Sequence, residues 1–104
     1  MNNIEFENGY PTQETLDFLK QTRHYDDDID ILFEELKLFV NKNGKLFKDG
    51  YFWIFVTGEW SGNEDIVNAL YQNKIFWMQF WEDSFRGGKY VFRIIGRYTF
   101  KPKR

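Results

Sequence analysis

Apolar positions recur along this chain at two different periods, and the places where the period changes mark its elements. Residues 1 to 10 are polar and irregular and read as an arm. Thr12 then offers a helix cap, with Glu14 in the first turn and Leu16, Phe18 and Leu19 on the apolar side. A second helix is predicted from Ile29, Leu32, Phe33, Leu36, Phe39 and Val40. One of the aspartates at 26 to 28 caps it, and Gly44 supplies its stop.

Two strand-like runs, 45–48 and 51–57, flank Asp49-Gly50, a dipeptide that signals a tight hairpin. Ser61 and Glu64 have capping-box spacing ahead of Ile66, Val67, Leu70 and Tyr71, which form the apolar side of a short helix ending near Asn73. From Ile75 to Phe100 the chain reads as two long strands joined at Gly87-Gly88. The pattern predicts one α+β domain over residues 1–104, in the order α-α-β-β-α-β-β. About four antiparallel strands would pack against helices, with a basic tail at 101–104.

A two-residue loop at Gly87-Gly88 would set Arg86 opposite Lys89 and so assign every side chain of the last hairpin to a face. One face would collect Ile75, Trp77, Trp81, Phe85, Tyr90, Phe92, Ile94, Tyr98 and Phe100, the expected core. The other would carry Phe76, Met78, Phe80, Val91 and Ile95 among Arg93 and Arg97, with Glu82 directly opposite Arg93 as a cross-strand ion pair. Rings and arginines on one surface are what binding hot spots are made of.

Composition sharpens this picture. The chain has 12 Phe, 6 Tyr and 4 Trp, about half of its apolar residues, which is more ring surface than a core of this size requires. It has no cysteine, and its polar start lacks the charged and apolar regions of a signal peptide. We therefore expect a soluble cytoplasmic protein with no membrane span. Net charge is only -2, yet residues 1–40 carry ten acids against three bases, and residues 41–104 six against eleven. An acidic first half and a basic second half suit either mutual neutralisation or a charged partner.

Candidate chemistry is sparse. Asp26, Asp28 and Asp30 imitate the start of a calcium loop, but Ile31 and Lys37 stand where its glycine and closing glutamate belong. With Asp27 and Glu34, these acids read instead as a helix start and an acidic patch. His24 is the only histidine, so no zinc site is expected, and Ser61 and Ser84 lie in no nucleophile pattern. Neither metal, cofactor nor catalytic residue is assigned. The loop Gly58-Glu59-Trp60-Ser61 offers Trp60 as an anchor beside Glu59.

These features predict a small non-catalytic module that binds a larger protein and acts as an inhibitor or regulator by steric occlusion. Phe76, Met78, Phe80, Trp60 and Glu59 would supply contact, and Arg93 and Arg97 would pair with partner carboxylates. Richness in Asn, Lys, Ile and Phe with a single Ala suggests a phage or mobile-element origin. One alternative is a single-stranded nucleic-acid binder using the same face, since bases stack on rings while arginines follow phosphates. Another is a homo-oligomer whose sheet face pairs with itself.

Overall fold

The computed structural model describes residues 4–21 and 29–95. The expected α+β architecture is present. A small hairpin, β1 (Phe6–Glu7) and β2 (Tyr10–Pro11), precedes α1 (Gln13–Lys20) and α2 (Ile29–Val40). The first main hairpin is β3 (Lys45–Asp49) with β4 (Phe52–Val56). Then come α3 (Ser61–Gln72), α4 (Lys74–Phe80), β5 (Trp81–Phe85) and β6 (Lys89–Arg93). The four long strands form one antiparallel sheet in the order β3-β4-β6-β5.

Local chemistry explains most boundaries. Thr12 caps α1 as predicted, its hydroxyl accepting from the Thr15 amide at 3.2 Å. In the first hairpin the turn pair is Gly50-Tyr51 rather than Asp49-Gly50, because Asp49 already pairs with Phe52 and Gly50 takes a positive φ of 64°. The capping box at Ser61 does not form: Trp60 is the N-cap, and Glu64 lies 3.4 Å from the Thr57 hydroxyl. Residues 1–10 were expected as an arm, but residues 6–11 form a hairpin about Asn8-Gly9, both at positive φ. That dipeptide was the available signal.

The largest departure is α4, where a strand was expected from Ile75. Asn73 decides it. Its side chain accepts from the Phe76 amide at 3.2 Å, starting a new helix one residue after α3 ends, while its amide nitrogen donates to the Leu19 carbonyl at 3.0 Å and to that of Gln21. Helical spacing then sets Phe76 against Phe80, ring centroids 5.1 Å apart and tilted by 47°, and sends both into the core. An apolar run broken only at Gln79 has too little alternation to tell these two states apart.

The core lies between the helices and one face of the sheet. Phe33 of α2 is its hub, packing edge-on against Trp53 at 5.5 Å and Phe92 at 5.3 Å. Leu46 and Phe55 from the sheet, Leu36 and Val40 from α2, and Ile66 and Leu70 from α3 complete it. Gly88, at φ 86°, lets the last hairpin close on this body, since a Cβ there would lie 2.3 Å from the Thr57 hydroxyl oxygen.

Candidate interaction surface

The register of the sheet assigns its faces. Leu46, Trp53, Phe55, Tyr90 and Phe92 point to the helices, so the alternate positions point away. That outer face carries Phe47 on β3, Phe52, Ile54 and Val56 on β4, Val91 on β6 and Phe85 on β5. Phe47, Phe52 and Phe85 are 43%, 37% and 49% exposed, and the aliphatic residues between them are half-buried. The described helices place their buried residues in the core with Leu46, Trp53, Phe55 and Phe92, which belong to the opposite face. Four strands of five residues make a face of roughly 300 Å², the scale at which exposed apolar surface on a monomer marks a contact site.

Charges rim this patch in both signs. Lys45 and Lys89 stand at one end of the strands and Asp49 and Arg93 at the other, with Asp83 on the β5 edge. Arg93 Nη1 holds Glu82 Oε1 at 3.2 Å, the cross-strand pair expected from the sequence. The register that carries it differs, however. The loop has three residues, Arg86 to Gly88, so Phe85 rather than Arg86 faces Lys89, and a bulge at Glu82 shifts the pairing again before Trp81 meets Phe92. This one-residue slip moves Phe85 from the expected core face to the exposed face. Next to Arg93, a hollow of about 450 Å³ is lined, among the described residues, by Tyr51, Phe52, Arg93 and Ile95.

Both edges of the sheet are guarded against strand addition. On β3 the Asn41 carboxamide imitates a neighbouring strand: its Oδ1 accepts from the Leu46 amide at 2.7 Å and its Nδ2 donates to the Leu46 carbonyl at 3.5 Å. On β5 the bulge and the acidic pair Glu82-Asp83 do the same work by distortion and charge.

The residues singled out in the sequence are scattered by this geometry. Phe76 and Phe80 are fully buried in the core, which corrects their assignment to an exposed sheet face; α4 turns them inward. Met78 is exposed as expected, but on helix α4 and not on a strand. Arg93 does reach the outer face, and Arg97 lies outside the described residues. Trp60 folds back on the N-terminal hairpin, its indole N–H donating to the Gly9 carbonyl at 3.3 Å and its ring stacked 5.0 Å from Tyr10. Glu59 is exposed beside it at φ 58°.

Of the acidic group, Asp26, Asp27 and Asp28 lie outside the described residues. Asp30 is no free patch: it accepts from the Trp53 indole at 2.7 Å and from Lys48 Nζ at 3.0 Å, tying α2 to the sheet. Partial burial alone would raise its pKa, but the Trp53 and Lys48 bonds and the Lys48 charge outweigh that and hold it below the usual 3.8. Glu34 pairs with Lys37 at 3.0 Å on the same helix. Among the described residues no three His, Asp or Glu side chains gather as metal ligands, and no helix is long and apolar enough to cross a membrane.

Sequence reasoning missed Phe47, Phe52 and Phe85 as surface residues; the alternation within each strand was the signal, once the loop lengths were known. Compared with known families, curated proteins and solved structures, the chain matches none.

Proposed function

We propose that this chain is a non-catalytic protein-binding module that grips a larger partner protein with the outer face of its sheet and acts as an inhibitor or regulator by covering that partner's surface. The observation that carries this reading is the unpacked apolar face, with Ile54 and Val91 at its centre and the exposed rings of Phe47, Phe52 and Phe85 around them, among charges of both signs. An apolar centre within a polar rim is the anatomy of protein interfaces. Guarded edges support docking on the face rather than addition of a strand. A phage or mobile-element factor acting on a host protein in the cytoplasm is the setting that the composition and the absence of cysteine favour.

Rings beside Lys45, Lys89 and Arg93 favour a second reading, a single-strand nucleic-acid binder. Against it, Asp49, Asp83 and Glu82 share the face and would repel phosphates.

The test is affinity capture with wild type, Phe47→Glu, Phe85→Glu and, as a control on α2, Leu38→Glu. We expect a protein partner retained by wild type and Leu38→Glu and bound at least tenfold more weakly by both face variants, as loss of a hot-spot ring implies. Thermal stability of the face variants should be close to wild type, because both rings are surface residues. Equal recovery by all four proteins refutes the face. Salt-sensitive binding of oligonucleotides by wild type, abolished in the face variants, would replace this reading with the second. A concentration-dependent dimer abolished by the same substitutions would replace it with self-pairing.

A further inference from the structure

A second site lies apart from the outer face, on the helix side of the sheet. Here α3, α4 and the β5–β6 hairpin enclose a groove of about 300 Å³. Glu64, Asn68 and Tyr71 project into it from one stripe of α3, at i, i+4 and i+7. Trp77 of α4, Ser84 of β5 and Tyr90 of β6 form the other walls. The Tyr71 ring stands at 83° to the Trp77 indole with centroids 5.2 Å apart, and the Tyr90 ring at 69° and 6.4 Å. Ser84 Oγ accepts from the Trp81 indole at 2.8 Å, and Trp81 in turn stacks on Trp77 at 6.0 Å, so this wall is braced from behind.

The chemistry of the lining selects a ligand class. Aromatic faces carry negative charge density and attract cations. Glu64 adds a full negative charge that makes no ion pair among the described residues, and no described lysine or arginine lines the groove. Three rings and a carboxylate with no ion-pair partner among the described residues disfavour an anion, and a cation, unlike a neutral ligand, can match its charge to Glu64. A volume of 300 Å³ lies at the small end of ligand sites. One ring has already been put to this use: Lys74 Nζ lies 5.6 Å from the Tyr71 centroid without lining the groove.

We propose that this groove binds a compact organic cation of the alkylated ammonium class, with Trp77, Tyr71 and Tyr90 as its aromatic walls and Glu64 as its counter-charge. The cation comes either as a free quaternary amine or as a methylated lysine side chain of a protein. The site is independent of the outer sheet face and stands or falls separately from it.

The Trp77 indole N–H resonance, assigned by Trp77→Phe, reports binding. Wild type is titrated at constant ionic strength with choline, with its neutral carbon analogue 3,3-dimethyl-1-butanol, and with a peptide carrying trimethyllysine beside the same peptide unmodified. We expect a saturable shift with choline, with a dissociation constant on the order of a millimolar for so open a site. Stronger binding of the trimethyllysine peptide than of choline identifies a protein ligand, and the reverse order a free amine. Glu64→Gln and Tyr71→Ala alter exposed residues, so both variants should keep the wild-type circular dichroism spectrum while binding at least fivefold more weakly. Lys74→Gln should bind more tightly, since it removes a competing cation from the Tyr71 ring. No saturable shift with choline or the methylated peptide overturns the proposal. So does equal binding of the neutral analogue, or wild-type affinity in both Glu64→Gln and Tyr71→Ala.

Discussion

Gln79 is 2% exposed, and neither polar atom of its carboxamide has a hydrogen-bond partner among the described residues. A buried amide without partners costs more than any packing it offers, so Gln79→Met, which keeps the length and removes the polar atoms, should stabilise the protein by about 1–2 kcal/mol. Urea unfolding would show this as a higher midpoint at unchanged slope. Asp30 works in the opposite sense. Its folded pKa lies below 3.8, so the unfolded chain takes up the proton first as pH falls. The stabilisation is therefore fully present above that value and lost as pH drops through the folded pKa. Wild type should exceed Asp30→Asn in unfolding free energy at neutral pH, and the gap should shrink in acid below about pH 4. A gap that is constant with pH would mean that the bond to Trp53 matters and the charge does not.

Among the elements, the β3 edge is held closed by a single side chain. Asn41→Ala would free the Leu46 amide and carbonyl while leaving the core intact, at a cost of about 1 kcal/mol. The exposed edge should then pair with other molecules, seen by light scattering as association that rises with concentration and is weaker in wild type. Elements with a clear period were legible in the sequence: α2 from its 3.6-residue apolar stripe, α1 from Thr12, and the two long hairpins from their glycines. What failed lay in two details of local geometry. Asn73 caps α4 through the Phe76 amide, three residues on, so an Asn ahead of an aromatic run was a local signal for a helix start, and its bond to Leu19, 54 residues away, holds that junction in place. The slip that exposes Phe85 likewise depends on one extra loop residue, which a Gly-Gly pair does not specify.

Taken as a whole molecule, the protein divides its rings between two uses. Trp53, Phe55, Phe76, Phe80 and Phe92 join Phe33 in one continuous core, while Phe47, Phe52 and Phe85 stay outside it. The aromatic excess and the presence of an exposed ring surface were legible from composition. Its membership was not, apart from Val91 and Arg93, because a side chain's face follows from register and register from tertiary pairing. The uneven charge along the chain is resolved in part within the fold, where Asp30 of the acidic half meets Lys48 of the basic half.

The junctions around α4 have a consequence for the groove. One residue, Asn73, separates α3 from α4, and α4 runs into β5 with none between. All the groove's walls thus come from the stretch Glu64 to Tyr90, in which only Asn73 and the loop Arg86 to Gly88 lie outside helices and strands. A ligand entering there meets a receptor already shaped for it, so little conformational entropy is lost on capture. Association should accordingly be a single fast step, limited by encounter and not by rearrangement.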